Sequence, residues 1–157
     1  VITLLVLNLH LVAQTGTQQT PPSPKPAEDY SGAYTFLQDG ELLQLNIEDE
    51  GKVSGFVQRL GDTETDRGMF LDHFFKEAKL EGKNLTFNTK TVHGVSYEFK
   101  GTIERGDGKK PGDEAYYVLK GTLIQSNIDS QQRSTTKTRD VVFKAFPQNL
   151  DGPPEKK

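Results

Sequence analysis

The sequence contains no cysteine and no tryptophan, and only three histidines in 157 residues. Without cysteine the chain cannot form a disulfide, a thiolate metal site or a cysteine nucleophile, so its stability has to come from a hydrophobic core. Neither sign of charge dominates, since 19 Lys and Arg stand against 22 Asp and Glu. Because the basic residues alternate with acidic ones and form no stripe, we do not expect nucleic-acid binding.

Long apolar runs are also scarce, and the clearest one occupies residues 2–13 with the sequence ITLLVLNLHLVA. About a dozen positions are too few to span a bilayer core, which needs about 20. We interpret residues 1–13 as a signal peptide cleaved after Ala13, although the run lacks a cationic first part. This interpretation predicts an exported protein, periplasmic or extracellular. A buried N-terminal strand or helix is the alternative.

Proline then marks the boundary of the folded part. Residues 14–29 contain Pro21, Pro22, Pro24 and Pro26. Such a segment cannot hold a helix or donate to a sheet ladder, so we expect a disordered linker. The tail at 148–157 is equally unsuited to a core. One domain at 30–147 is therefore predicted.

Within that domain, side chains alternate between apolar and polar with the period of a β-strand. The clearest case begins at Val95, and the Lys-Gly-Thr of Lys100 recurs at Lys120. The second face of the first of these strands carries Glu98 and Glu104, so it is expected to meet water and not lipid. The repeat indicates successive antiparallel strands in equivalent positions of one sheet.

Turn residues divide the rest of the domain into further short strands. The expected strands are Ser31–Leu37, Leu42–Glu48, Val53–Leu60, Phe75–Leu80, Asn84–Val92, the two repeat strands and Arg139–Phe146. Gly55, Gly101 and Gly121 inside strands allow the bends that close a sheet. The prediction is an all-β fold, an eight-stranded antiparallel up-and-down β-barrel. In the 61–75 loop, Met69, Phe70, His73 and Phe74 fall at helical spacing and predict one short helical turn.

This pattern, together with the opening Ser31-Gly32-Ala33-Tyr34-Thr35, resembles the calycin group of lipocalins and avidin-like proteins. The resemblance implies eight meandering strands around a small-molecule pocket. Avidin-like proteins place tryptophans around biotin, and lipocalins carry a Gly-x-Trp near the first strand. Since this chain has no tryptophan, the resemblance supplies no ligand residue.

The candidate ligand-binding residues are instead the aromatic side chains expected on the inward face. They are Tyr34, Phe36, Phe87, Tyr97, Phe99 and Tyr117. An eight-stranded barrel is just wide enough to be packed solid or to hold one small ligand, and both readings stay open. We expect no cofactor, and the sequence sets no oligomeric state.

Our first hypothesis is an exported, non-catalytic barrel that binds a small apolar or amphipathic ligand or a partner protein. An alternative is an acid-base or metal-dependent enzyme with a site near Asp72, His73 and His93. A second alternative is a secreted inhibitor or envelope interaction protein that works through its loops. Neither a nucleophile motif nor a complete metal-ligand pattern is present, so no catalytic or metal residue is assigned.

Overall fold

The computed structural model describes residues 28–35, 40–48 and 51–148 of the chain. Eight strands follow one another along the chain: β1 (Gly32–Thr35), β2 (Leu42–Ile47), β3 (Val53–Leu60), β4 (Phe70–Glu81), β5 (Asn84–Thr89), β6 (Val95–Arg105), β7 (Tyr117–Ile128) and β8 (Ser134–Ala145). Each strand pairs antiparallel with the next, and β1 pairs with β8 through Tyr34 opposite Ala145. The sheet is therefore a closed up-and-down barrel, as predicted. None of the described residues belongs to a helix long and apolar enough to cross a membrane.

The closed sheet surrounds an apolar core because the side chains of each strand alternate between the barrel interior and water. On β6, Tyr97, Phe99 and Ile103 are buried, whereas Glu98 and Lys100 are exposed. Neighbouring strands keep the same phase, because antiparallel partners point to the same face of the sheet. The alternation predicted from the sequence is confirmed.

Aromatic rings fill the middle of the barrel. Phe75 stacks on Phe87 with ring centroids 4.3 Å apart, Phe87 lies 5.2 Å from Phe99, and Phe99 lies 5.6 Å from Phe143. Burying a side chain of this size stabilises the fold by roughly 1.5–3 kcal/mol. These rings form a large part of the hydrophobic core on which the stability of this cysteine-free chain depends.

The two mid-strand glycines of the repeat lie directly opposite each other, Gly101 on β6 and Gly121 on β7. A Cβ atom at Gly121 would overlap the backbone oxygen of Lys100, and one at Gly101 would overlap that of Lys120. The two paired backbones leave no room here for a side chain on either residue. The close approach therefore requires glycine at both positions.

The predicted helical turn in the 61–75 loop is wrong. Residues 61–69 form turns, and β4 begins at Phe70, five residues earlier than expected. The helical spacing was misleading because Phe70 and Phe74 are exposed on the outer face of the sheet. There they lie opposite Leu60 and Phe56 of the neighbouring strand β3. Apolar residues on both faces of a strand can imitate a helical period.

Other boundaries differ by a few residues. β5 ends at Thr89 and not at Val92, and β8 begins at Ser134, five residues before the predicted Arg139. Residues 134–138 are polar and exposed, so they lack the apolar signal on which the prediction depended. The predicted signal peptide, most of the 14–29 linker and the tail from 149 lie outside the described residues and stay predictions.

The barrel has two different ends. We call one the tyrosine end, where Tyr34 Oη donates to the carbonyl oxygen of Tyr30 at 2.7 Å. There the Tyr30 ring meets the Tyr117 ring edge-on at 4.9 Å, and Tyr30 Oη donates to Glu28 at 2.5 Å. The opposite end, bordered by the connections 61–69, 90–94 and 129–133, is called the polar end.

Candidate functional site

At the polar end, the last inward-facing residue of β3 is charged, whereas those before it are apolar or glycine. Val53 and Val57 point inward on this strand, and the same parity carries the side chain of Arg59 into the barrel, where the residue is only 5% exposed. A buried guanidinium is costly unless it is hydrogen-bonded or paired with a charge. The partners of Arg59 therefore indicate what this end of the barrel is built to hold.

Only part of the Arg59 guanidinium is bonded within the described residues. Its Nη1 donates to the carbonyl oxygen of Leu60 at 3.1 Å and to Asp62 Oδ1 at 3.0 Å. Its Nε and Nη2 are shielded from solvent and have no acceptor among the residues that the structure describes. Asp62 is 78% exposed, so its charge is largely screened by water and compensates the guanidinium weakly.

His73 on β4 is the second buried polar group. It is 0% exposed, and its ring meets the Tyr97 ring edge-on at 5.1 Å. Its ring nitrogens form no well-aligned hydrogen bond in the described part of the chain, although the backbone of Val95 and Lys90 lies near enough to favour the protonated ring slightly. Burial lowers the pKa of His73 from 6.5 to about 4, and the positive charge of Arg59 acts in the same direction. The ring is thus neutral at physiological pH, with one N–H and one lone pair to offer.

Tyr97 on β6 completes the wall beside His73. Its backbone N–H donates to Thr89 Oγ1 at 2.9 Å, which fixes the strand at this point. Burial raises the pKa of the Tyr97 hydroxyl to about 12, with the charges of Arg59 and Glu41 close enough to contribute in opposite directions. The hydroxyl is therefore a neutral donor.

Glu41 and Arg139 face each other on the far side of the same end. Arg139 Nη2 lies 3.7 Å from Glu41 Oε2, and the two side chains are 18% and 12% exposed. Burial raises the pKa of Glu41, while Arg139 and Arg59 oppose that shift. Arg139 therefore has a partly buried counter-charge in Glu41, whereas Asp62, the carboxylate bonded to Arg59, is exposed.

A link between two connections borders the site. Asp66 in the 61–69 connection is 4% exposed, and His93 Nδ1 in the 90–94 connection donates to its Oδ2 at 2.8 Å. The hydrogen bond from His93 lowers the pKa of the Asp66 carboxyl. His93 has a left-handed φ of 48°, so a tight turn presents its ring to the carboxylate. This pair ties down the connection that supplies Asp62 to Arg59.

The structure separates the five described residues among the six aromatic residues expected to bind a ligand. Phe87 and Phe99 belong to the stacked core, Tyr34 and the half-buried Tyr117 lie toward the tyrosine end, and only Tyr97 joins the polar end. Phe36 lies outside the described residues. Their role in ligand binding stays a prediction, and the contacts described for Phe87 and Phe99 are with other core rings.

The three residues of the alternative enzyme site do not converge. Asp72 points to the outer face, where Gln58 Nε2 donates to it at 2.8 Å, whereas the adjacent His73 points inward. His93 is bonded to Asp66 on the border of the polar end. Within residues 28–35, 40–48 and 51–148, no cluster of His, Asp or Glu could hold a metal ion. The geometry gives acid-base or metal chemistry no support.

Sequence reasoning missed Arg59, Glu41 and Arg139, although a signal was present. Each of the three continues the inward parity of its strand beyond the last apolar residue. A charged residue at an inward position is therefore the pattern that would have found this site. The sequence prediction considered only aromatic residues on the inward face and therefore omitted these three.

A concavity of about 700 Å³ lies elsewhere, on the outer face of β4–β7, with Lys79, Glu98 and Lys100 in its lining. Its charged groups are exposed, and Asn88 Nδ2 donates to Glu77 Oε2 at 2.8 Å while Asn88 Oδ1 is shielded without a hydrogen-bond partner in the described residues. The buried guanidinium of Arg59 and the buried ring of His73 lie inside the barrel. We therefore place the candidate site at the polar end and not in this concavity.

Comparison with known proteins supports the fold independently. No protein-family model matches the chain, and no curated protein does. Among solved structures, rhizavidin superposes with a TM-score of 0.54 and 10% identity over 80% of this chain and 88% of its own. The chain has an avidin-like fold. Intact afifavidin in its apo form gives a TM-score of 0.53 at 14% identity over 80% of this chain and 88% of that one.

The rhizavidin–biotin complex gives a TM-score of 0.52 at 10% identity, covering 74% of this chain and 99% of that one. Identities this low relate the folds and leave the site residues unrelated. The function of this avidin-like barrel has to be argued from its own polar end.

Proposed function

We propose that this protein is a non-catalytic binding module that holds a small molecule at the polar end of its barrel. The observation that carries the proposal is the outer edge of the buried Arg59, whose Nε and Nη2 have no acceptor among the described residues, beside the fully buried ring of His73. Leaving such groups unsatisfied costs about 1–3 kcal/mol each, more where the group is charged. A ligand that formed hydrogen bonds to these groups would offset that cost. Buried polar groups without partners are rare in native proteins, so their presence supports a binding role.

The position of the set supports the same proposal. Ligand sites are typically apolar enclosures with a few convergent polar groups, often in the mouths of β-barrels. Here Leu43, Val57 and Leu123, all fully buried, supply the apolar wall below the polar groups. One structural neighbour, rhizavidin, was solved as a complex with biotin, which supports a small-molecule ligand for this barrel.

Amide NMR spectra recorded while small molecules are added test the proposal. The set contains biotin together with neutral, anionic and cationic compounds of similar size. We expect at least one to cause saturable shifts of His73 and Tyr97, with Tyr34 at the tyrosine end unchanged. The proposal is wrong if no compound does so, or if saturable shifts map only to the outer concavity near Glu98.

Export is a second part of the proposal, supported by the apolar run at 2–13 and the proline-rich segment that follows it. The intact mass of the protein recovered outside the cytoplasm of its host tests this. We expect a mature chain that begins at Gln14. Full-length protein confined to the cytoplasm would contradict it. A role as an inhibitor or envelope interaction protein stays a prediction.

A further inference from the structure

We propose that the ligand of the polar end carries an oxyanion, a carboxylate, phosphate or sulfonate group, and that the guanidinium of Arg59 binds two of its oxygens. This inference rests on the proposed function, because it names the class of ligand for the same site.

The free edge of Arg59 has the right shape for two oxygens. In a guanidinium, Nε–H and one N–H of Nη2 point in the same direction and form a fork that matches a carboxylate or phosphate. Nη1 is on the other side of the group and is already used by Leu60 and Asp62. The two nitrogens without acceptors among the described residues are the two that make up this fork.

The charge balance favours an anion over a neutral ligand. Arg139 has the partly buried Glu41 as a partner, whereas Asp62, the carboxylate bonded to Arg59, is exposed to water. A buried cation without a buried counter-charge is expensive. An oxyanion beside the free edge of Arg59 would supply such a counter-charge, and Lys137 on β8 adds to the attractive potential at this end.

His73 and Tyr97 fit the remainder of such a ligand. The low pKa of His73 keeps its ring neutral, so it can donate one hydrogen bond and accept another without adding charge. Tyr97 stands edge-on to that ring at 5.1 Å. These groups would bond polar atoms next to the oxyanion, while the fork of Arg59 fixes its orientation.

Access to the fork requires movement at the border of the site. Arg59 Nε and Nη2 are shielded from solvent, and the 61–69 connection holds Asp62 against the same guanidinium. The link between Asp66 and His93 ties that connection to the next hairpin. An anion can reach this edge of Arg59 only when the 61–69 connection moves away from the guanidinium. The anion should therefore exchange between free and bound states more slowly than diffusion alone would allow.

The side-chain Nε–H resonance of Arg59 provides a direct test. Wild-type protein is titrated with sodium acetate, sodium phosphate and sodium sulfate at constant ionic strength, with acetamide as the neutral probe. We expect a saturable shift of the Arg59 signal with at least one anion and none with acetamide. The acetate arm reports a carboxylate ligand, and the phosphate and sulfate arms report a tetrahedral oxyanion.

Two variants separate the fork from charge alone. Arg59→Lys keeps the positive charge and loses the fork, so the anion should bind about tenfold or more weakly. Arg105→Lys is the matched control, because Arg105 lies near the tyrosine end, where its guanidinium covers the Tyr116 ring at 3.2 Å. This control should bind the anion as the wild type does.

The outcomes distinguish this inference from the proposed function. If no anion saturates the Arg59 signal of the wild type, or if both variants lose binding equally, the inference is overturned. A neutral compound that saturates His73 and Tyr97 while the anions do not would overturn the inference and leave the proposed function standing. The Arg59 signal of the wild type decides the matter even if Arg59→Lys fails to fold.

Discussion

Replacing His73 with phenylalanine should remove most of the acid sensitivity of the barrel. In the unfolded chain this histidine takes up its proton as the pH falls through 6.5, whereas the folded chain keeps the ring neutral until about pH 4. Between these values the unfolded state binds more protons, so stability is present at neutral pH and is lost as the pH falls.

The size of the effect follows from the same two values. At about 1.4 kcal/mol for each pH unit, the interval from 6.5 to about 4 corresponds to a loss of roughly 3 kcal/mol attributable to His73. Small domains are stable by only about 5–15 kcal/mol, so a loss of this size is readily measured. Phenylalanine keeps the edge-on contact with Tyr97 and cannot be protonated.

Urea denaturation between pH 7 and pH 4 measures the difference. The wild type should lose roughly 3 kcal/mol more than His73→Phe over this range, because every other titrating group is common to both. Lys100→Gln is the control, because Lys100 is exposed on the outer face of β6, away from His73. It should keep the acid sensitivity of the wild type. Equal losses in the wild type and His73→Phe would refute the reasoning.

Two further predictions concern the paired glycines of β6 and β7 and the hydrogen bond at the border of the site. Gly121→Ala should destabilise the barrel by about 1–3 kcal/mol in urea denaturation, because its Cβ meets the backbone of Lys100, whereas exposed Lys120→Ala should change stability little. A glycine variant as stable as the wild type would contradict the close approach. Asp66→Asn should speed hydrogen exchange of the 61–69 connection and leave β6 and β7 protected, because it removes the carboxylate that His93 binds. Unchanged exchange in that connection would show that the link does not hold it.

The predicted architecture was close to the observed one wherever one face of a strand met the core and the other met water. β2, β3, β6 and β7 began at the residues that the alternation indicated, since burial of one face imposes a period of two on the sequence. β4 was misplaced because Phe70 and Phe74 are apolar residues on the outer face. Local pattern has no means of distinguishing an exposed phenylalanine from a buried one.

The sequence by itself determined the barrel: period-two alternation, turn residues at short intervals and glycines inside strands leave few other arrangements. It also determined that stability depends on packing, since no cysteine is present. The tertiary structure decided which polar residues face inward together. Arg59, His73, Tyr97 and Glu41 come from separate segments, and closure of the sheet is what encloses them at one end. Enclosure removes their water, and the Arg59 nitrogens that it leaves without acceptors among the described residues are the basis of the proposed ligand site.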